Sequence, residues 1–258
     1  MNAPLRRVVD AGNLFGVNLA VLARSILGIP KLIQDSIEYK KGDPPASFKI
    51  SLRHLMPMLT DYRGGASAAR GHYFHQDLWA ARKIFVRRPT SHIDVGSRID
   101  GFIAHLLVFM DVEIRDILPF GGAVRGLHFR QCDATSLGDV SDNSVISISS
   151  LHVAEHFGLG RYADPIDPWA HTKFMTSLER VLAPGGSLYF SVPIGQERLE
   201  FNAHRIFDAR TVLAQFKQLH LTSFSYIDDA GDLHEDVSPS ALPGNLQQGC
   251  GLFEFSKV

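Results

Sequence analysis

Two histidines and a glutamate stand close together in the middle of the chain, at His152, Glu155 and His156. If this segment is helical, they occupy positions i, i+3 and i+4 and share one face. Three interpretations are open. The side chains could form local hydrogen bonds that orient a loop, His156 or His152 could act as a general base, or all three could bind a divalent metal. A metal set that includes two histidines favours an ion softer than magnesium.

A glycine turn precedes these residues, in the stretch 92–101. It is typical of a strand that ends in a tight turn and leads into a helix, and Ser97 is placed to cap that helix. The turn lacks the glycine series that brings backbone against a dinucleotide pyrophosphate. It therefore suits a ligand without a pyrophosphate, and S-adenosylmethionine is such a ligand. The candidate cofactor residues of this turn are Asp94, Gly96, Ser97, Arg98 and Gly101.

Acidic residues end the next two predicted strands. Asp116 comes twenty residues after Gly96, where a carboxylate can bind both ribose hydroxyls of an adenosine. Asp133 ends the third strand, where a polar group can meet the adenine amine, and Ala134 follows it. Ser150 and Leu151, just after the fourth strand, complete the predicted cofactor site. The order and spacing of these residues point to S-adenosylmethionine as the cofactor.

These candidates must be positioned by an α/β fold. From residue 91 onward strands and helices alternate, which is typical of a doubly wound sheet with helices on both faces. Helices are expected to start at Asp167–Pro168 and at Asp208. No helical pattern separates the last two strands, so we expect them to form an antiparallel hairpin with a long loop, residues 229–249. The predicted strands are 92–95, 111–116, 127–133, 144–149, 187–193, 220–228 and 251–257.

The sequence thus predicts a Rossmann-like seven-stranded sheet with six parallel strands and one antiparallel strand. Residues 1–88 are expected to form an N-terminal helical cap on the substrate side, and residues 89–258 the core. The apolar stretch 8–33 is interrupted by Asn18 and Arg24. We interpret it as a packed helix rather than a membrane span, with attachment to a membrane surface as the alternative.

Several polar residues outside the core motifs are candidates for binding an acceptor. Each has a structural alternative: a helix docking on the sheet for the segment that contains His72, helix capping for the loop acids and for His204, and an ion pair for Arg205. The loop after the fourth strand lies on the rim where specificity usually resides. The substrate-side candidates are His72, Arg161, Tyr162, Asp164, His204 and Arg205.

Composition narrows the class of partner. The 258 residues have a formal net charge of −1, which gives no electrostatic footprint for nucleic acid. Two cysteines, Cys132 and Cys250, cannot form a disulfide framework and suit a reducing, cytoplasmic location. The expected partner is a small-molecule or glycan acceptor, and the sequence leaves a homo-oligomer open.

The core resembles the class I S-adenosylmethionine-dependent methyltransferases, and residues 181–188 are similar to their usual approach to the fifth strand. Nearly the whole chain more closely resembles a methyltransferase-like family catalogued as a domain of unknown function. That family usually has Asp-Ile-Arg-Pro after the second strand, whereas this chain has Asp-Ile-Leu-Pro at 116–119. The stretches that support the closer resemblance are 71–77, 94–101, 155–165 and 201–205.

The resemblance implies the fold and the cofactor. A further similarity, to the metal-binding Glu-x-x-Glu-His stretch of ubiquinone-pathway O-methyltransferases, supports the metal interpretation of His152, Glu155 and His156. The favoured function is methylation of a hydroxyl on a sugar, a glycan or another small polar acceptor. The alternatives are a non-catalytic protein of the same fold that binds adenosylmethionine or serves as a scaffold, and a nicotinamide-dependent oxidoreductase, which the missing glycines disfavour.

Overall fold

A computed structural model describes residues 16, 18–60, 69–162 and 164–258. The chain forms two compact units, Met1–Ala68 and Ala69–Val258. The first contains helix α1, Leu19–Lys41, whose start is capped by the Asn18 side chain, which accepts from the Val21 N–H at 3.0 Å. Residues 8–15 and 17 of the predicted packed helix lie outside the described residues. None of the described helices is long and apolar enough to cross a membrane.

The second unit is built on a mixed sheet, which confirms the predicted α/β class. Within the described residues the sheet has eight strands in the order β3-β2-β1-β4-β5-β10-β8-β9. Strands β1 to β5 run parallel to one another, and β10 is antiparallel to both β5 and β8. The strands of this sheet are β1 (Ile93–Val95), β2 (Val112–Asp116), β3 (Leu127–Gln131), β4 (Val145–Leu151), β5 (Leu182–Ile194), β8 (Leu219–Ile227), β9 (Leu233–His234) and β10 (Gly249–Lys257).

The strand count differs from the seven predicted. The extra strand, β9, is a two-residue edge strand that pairs with the end of β8, inside the loop expected to be irregular. A separate hairpin, β6 (Arg198–Glu200) and β7 (His204–Ile206), also lies in a region with no predicted strand. Three-residue strands are too short to show a period-2 pattern in sequence. The antiparallel pairing of the last two long strands, β8 and β10, is as predicted.

Helices cover both faces of the sheet. On one face α2 (His72–Arg87) packs over Tyr189 and Leu252; on the other, α4 (Ala170–Val181) and α5 (Ala209–Gln215) pack over Phe190 and Phe253. Consecutive strand residues point to opposite faces, so Tyr189 and Phe190 enter different cores. After β1 a π-helical turn, Ile99–Ile103, leads into the short helix α3, Ala104–Leu106.

The start of α4 differs from the prediction. The helix begins at Ala170 rather than at Asp167–Pro168. The Asp167 carboxylate still binds the first turn, because it accepts from the Trp169 N–H at 2.9 Å and from Lys173 Nζ at 2.7 Å. At α5 the prediction is confirmed, since Asp208 caps the helix through the Arg210 N–H.

The topology decides which side chains can meet. The carboxyl ends of the parallel strands lie along one edge of the sheet, and the chain order reverses between β1 and β4, where open sheets bind ligands. Because β10 runs antiparallel, its first residues lie at this same edge. Helix α2 begins at this edge as well, since the stacked rings of His72 and His152 join its first residue to the end of β4.

Candidate active site at the carboxyl edge of the sheet

The glycine turn after β1 has the conformation that the sequence suggests. Gly96 has φ +72°, a left-handed value that favours glycine. Its N–H donates to the Arg115 carbonyl at 3.0 Å. A Cβ at this position would lie 2.8 Å from Val153 Cγ1, which is closer than real carbon contacts. The residue therefore allows the end of β1 and the segment after β4 to approach each other.

Asp94 organises this turn from the buried side. Its carboxylate accepts from the Ser97 N–H at 2.9 Å, from the Ser97 hydroxyl at 2.6 Å and from the Ser149 hydroxyl at 2.5 Å. Burial raises its pKa to about 6, although these hydrogen bonds oppose the shift. The prediction that Ser97 caps the following helix is wrong, because its hydroxyl donates to Asp94 and accepts from the Leu151 N–H at 3.0 Å.

The hydrogen-bond chain continues to His92. Since the Ser149 hydroxyl donates to Asp94, its oxygen accepts from His92 Nε2 at 2.9 Å, and Ser147 lies 2.8 Å from Nδ1. Burial lowers the pKa of His92 to about 3, so the ring is neutral at pH 7 and its one proton lies on Nε2.

The other residues predicted for the turn also have structural contacts. The Ser150 hydroxyl donates to the Val95 carbonyl at 3.1 Å, and Leu151 is buried in the core. Arg98 forms an exposed ion pair with Asp100. At Gly101 a Cβ would collide with the Asp77 carboxylate of α2. These residues hold the turn against β4 and α2.

A cavity of about 420 Å³ opens at the ends of β1 to β4. The volume is in the range of small-molecule sites. Four predicted cofactor residues line it: Gly96, Asp116, Asp133 and Ala134. Asp116 holds its own turn by accepting from the Leu118 N–H at 2.8 Å, and Asp133 does the same for Thr135 at 2.9 Å. Both carboxylates retain acceptor capacity for a ligand, because each oxygen has two lone pairs.

Arg115 also lines the cavity, and sequence reasoning missed it. Its guanidinium is buried and binds Asp139 at 2.6 and 2.8 Å and Glu113 at 2.7 Å. Burial opposes the charge, but these two carboxylates raise its pKa above the ordinary value. The bonds tie β2 to the segment after β3, so Arg115 supports the wall that holds Asp116 and Asp133. The local sequence offered no clear signal, because β2 reads Val-Glu-Ile-Arg-Asp and charged residues are common in it.

His152, Glu155 and His156 meet at the cavity, but not through a shared helix face. His152 has φ +58°, and a single 3₁₀ turn, Ala154–His156, follows it. The Glu155 carboxylate is buried between the two rings, with Oε1 2.7 Å from His152 Nδ1 and 3.7 Å from His156 Nε2. The residues are therefore brought together by a turn centred on Glu155, which corrects the expectation of a helix.

The two rings are held differently. His156 Nδ1 lies 2.7 Å from the Ala203 carbonyl, which can only accept, so this nitrogen carries the proton and Nε2 bears the lone pair. Burial lowers the pKa of His156. At His152 burial acts against the charged ring, but neighbouring Cys250 and Glu155 outweigh it and raise the pKa well above 6.5.

Apart from His72, the substrate-side candidates fall into two groups. Tyr162 and Asp164 line the cavity, and Asp164 orients its loop by accepting from the Gly158 N–H at 2.7 Å. Arg161, His204 and Arg205 instead join the β6–β7 hairpin to the segment 155–158. Arg205 donates to the Phe157 carbonyl at 2.7 Å, and Arg161 donates to the Ala203 carbonyl at 2.9 Å.

His72 lies on the inner side of the site rather than among the residues that line the cavity. Its ring stacks on His152 with centroids 5.3 Å apart. The Cys250 thiol, at the start of β10, is close to both histidines. Sequence reasoning assigned Cys250 no role in the site, because nothing in the local sequence connects it to a histidine almost a hundred residues away.

Comparison with solved structures identifies the class of fold. The 1,6-didemethyltoxoflavin-N1-methyltransferase of Burkholderia thailandensis, solved with S-adenosylhomocysteine bound, is 13% identical over 71% of this chain and 78% of its own, with a TM-score of 0.52. A protein from Galdieria sulphuraria described as a sarcosine dimethylglycine methyltransferase is 13% identical over 71% of this chain and 86% of its own, with a TM-score of 0.51. The YcgJ protein of Bacillus subtilis is 16% identical over 71% of this chain and 98% of its own, with a TM-score of 0.50. The chain has the class I S-adenosylmethionine-dependent methyltransferase fold, as predicted.

At the level of sequence, residues 141–236 match the model of a family described as "Caenorhabditis protein of unknown function, DUF268". This match confirms the predicted resemblance to a family of unknown function. No curated protein matches the chain significantly.

Proposed function

We propose that this protein is an S-adenosylmethionine-dependent methyltransferase that methylates a hydroxyl of a small polar acceptor, with sugars or glycans as the first class to test. The supporting observation is the cavity at the ends of β1 to β4. Gly96, Asp116, Asp133 and Ala134 line one part of it, and His156, Tyr162 and Asp164 line another. The cavity therefore offers a nucleoside-binding part and a part that contains a base.

The nucleoside part fits S-adenosylmethionine. The Asp116 carboxylate can accept from both ribose hydroxyls, and Asp133 can accept from the adenine amine. Gly96 has no Cβ, so its backbone is open to close approach by the ligand. When bound, S-adenosylmethionine would supply a methyl group for transfer to an oxygen nucleophile.

The remaining part supplies proton transfer. His156 Nε2 bears the lone pair and can accept the proton of an acceptor hydroxyl. The nearby Glu155 carboxylate, 3.7 Å from Nε2, stabilises the imidazolium that results. Because burial lowers its pKa, His156 is neutral at pH 7 and ready to act as a base. The rest of the chain's contribution is alignment of the acceptor and exclusion of water.

The acceptor class is inferred from the outer wall of the cavity. Tyr162, Asp164, Asp167 and Lys173 provide one aromatic surface and several groups that bind hydroxyls. Such a mixture suits a hydroxylated molecule such as a sugar. The two free cysteines fit the proposed cytoplasmic location, where thiols stay reduced.

The first experiment is calorimetric titration of the full chain with S-adenosylmethionine, S-adenosylhomocysteine and NADH. We expect micromolar binding of the first two ligands and none of NADH. In Asp116→Asn the amide oxygen can still accept from Leu118, but one charge-assisted bond to ribose is lost. This costs about 1.5–3 kcal/mol, which is roughly a 10–150-fold increase in Kd.

Asp111→Asn is the matched control, because Asp111 is an exposed acid just before the other end of β2. Its affinity should equal that of the wild type. Equal affinities of Asp116→Asn and the wild type would refute the cofactor assignment. If the cofactor binds and a panel of hydroxylated acceptors releases no S-adenosylhomocysteine, O-methylation is wrong and the non-catalytic alternative is favoured.

A further inference from the structure

We propose that His72, His152 and Cys250 form a binding site for a zinc-type divalent cation at the inner wall of the cavity. One ring nitrogen from each histidine and the Cys250 sulfur all lie within 4.8 Å of one another. Among the described residues, this is the group of three potential ligands whose atoms lie close enough together to hold one metal ion. It shares only His152 with the set that the sequence suggested.

The unsatisfied nitrogen of His152 is the first argument. Its side chain is only 7% exposed, yet Nε2 has no hydrogen-bond partner among the described residues. A buried polar atom without a partner costs free energy. A cation held between Nε2 and the Cys250 sulfur would satisfy it.

The outer contacts of both histidines are the second argument. A metal-binding histidine usually donates its other ring N–H to a carboxylate or a backbone carbonyl, which fixes the orientation of the ring. His152 donates through Nδ1 to the buried Glu155 carboxylate at 2.7 Å. The His72 ring hydrogen-bonds to the backbone of Gln248, two residues before Cys250. Each ring therefore has one nitrogen engaged by the protein and one facing its neighbours.

The ligand types decide the kind of ion. Two imidazoles and one thiolate suit Zn²⁺, whereas Mg²⁺ and Ca²⁺ prefer oxygen ligands. With bonds of ~2.0–2.3 Å, tetrahedral ligands are roughly 3.3–3.8 Å apart. The side chains therefore have to close by at most about 1–1.5 Å, which rotation of His72 and Cys250 can supply. Three protein ligands leave one coordination position, and His152 lines the cavity.

The backbone holds the three ligands on separate elements. His72 is the first residue of α2, His152 follows β4, and Cys250 is the second residue of β10. Gln76 of α2 links these elements, because its side-chain oxygen accepts from the Ser191 hydroxyl of β5 at 2.8 Å and lies 3.9 Å from the Cys250 sulfur. The Ser191 oxygen in turn accepts from the His152 N–H at 3.1 Å. Such a fixed scaffold keeps the ligands in place before the ion binds.

The test is titration of the chelator-treated full chain with Co²⁺ under reducing conditions, with no S-adenosylmethionine present. We expect one equivalent to bind, with the thiolate-to-Co²⁺ charge-transfer absorption of a sulfur ligand, and Zn²⁺ to displace it. Cys250→Ser should abolish this absorption and weaken Zn²⁺ binding at least ~100-fold, since it removes a direct ligand. Glu155→Gln should weaken binding about 10–100-fold, the effect of losing a partner of a metal-bound histidine.

Two matched controls are available. Cys132→Ser removes the other cysteine, and His75→Ala removes the next histidine along α2; both should bind Co²⁺ as the wild type does. Circular dichroism of each variant in chelator checks the fold. Absence of the thiolate absorption in the wild type would overturn the proposal. So would Zn²⁺ binding that survives Cys250→Ser and is lost in His156→Ala.

This site does not rest on the proposed function. Metal binding is measured without the cofactor, and binding of S-adenosylmethionine can be measured in chelator. The metal site and the proposed function can therefore be refuted independently of each other.

Discussion

Replacing His92 with Gln should reduce the acid sensitivity of the second compact unit. His92 is 2% exposed, and its neutral ring bridges Ser147 and Ser149 beneath the glycine turn. Protonation of His92 would place a positive charge on a buried ring whose hydrogen-bond partners are two serines and no carboxylate. Burial accordingly lowers the pKa of His92 to about 3 from an ordinary 6.5.

The sign and the size of the effect follow from proton linkage. A histidine whose pKa is lowered on folding contributes stability above its unfolded pKa, and that stability is lost as the pH falls from 6.5 toward 3. As the pH falls from 7 to 5, the unfolded chain takes up about 0.7 proton at His92, whereas the native chain takes up almost none. The free energy of unfolding therefore falls by about 2 kcal/mol from this residue alone.

Asp94 acts in the opposite direction. Burial raises its pKa from 3.8 to about 6, so the stability that it contributes is present at low pH and is lost as the pH rises through 6. Because Asp94 is unchanged in His92→Gln, its contribution cancels when the variant is compared with the wild type over the same two pH values.

The assay is urea unfolding at pH 7 and pH 5, followed by tryptophan fluorescence. Both tryptophans, Trp79 and Trp169, belong to the second unit. The wild-type midpoint should fall by about 0.7–1 M more than that of His92→Gln, for an m-value of ~2–3 kcal/mol/M. His220→Gln, at an exposed position of β8, should behave as the wild type does.

The readout is the change in the free energy of unfolding between pH 7 and pH 5. The variant also loses hydrogen bonds, but that loss lowers its stability at both pH values and cancels in this difference. If His92→Gln and the wild type lose the same stability between pH 7 and pH 5, the reasoning from burial is wrong.

Three further predictions concern the cavity. His156→Ala should lower kcat by at least ~100-fold while the Kd for S-adenosylmethionine stays within about threefold, which calorimetry and initial rates can separate; retained turnover would exclude a base at this position. Gly96→Ala should destabilise the fold by at least ~1–2 kcal/mol, because the new Cβ would collide with Val153 and the backbone at this position is left-handed. Gly121→Ala is the control, since a Cβ there meets open space. An equal loss of stability in both variants, measured by urea unfolding, would contradict this prediction. Arg115→Met should cost about 1–3 kcal/mol and weaken cofactor binding, because two carboxylates lose their buried partner; unchanged melting and affinity would show that the bridge does not support the wall.

The parts of the site that could be predicted from sequence are those set by local order. Gly96, Asp116 and Asp133 end or follow a strand, and Asp94 lies one residue before the end of β1; parallel strands bring their carboxyl ends to one edge. Their spacing therefore indicated the edge of the sheet that lines the cavity. The same pattern could not assign roles within this set, and the structure shows Asp94 buried beneath the turn rather than lining the cavity.

The parts that could not be predicted depend on long-range contacts. A helical face was inferred for His152, Glu155 and His156, but the backbone turns left-handed at His152, where local spacing gives no warning. Ser97 has a sequence typical of a helix cap, yet the Leu151 N–H of another strand and the Asp94 carboxylate compete for its hydroxyl. The position of Cys250 beside two histidines depends on the antiparallel insertion of β10, which pairs it with Pro193 and Ile227.

The position of β10 also has a consequence for synthesis of the chain. This strand lies between β5 and β8, yet it follows both of them in sequence. On the ribosome, β1 to β5 can assemble as soon as they emerge, whereas β8 has no long neighbour to pair with until residues 249–257 have left the exit tunnel. At ~5–20 residues per second this wait lasts a few seconds. During that time Phe190 and Phe224 lack the cover that β10 provides, so this gap is where we expect a nascent chain to need a chaperone.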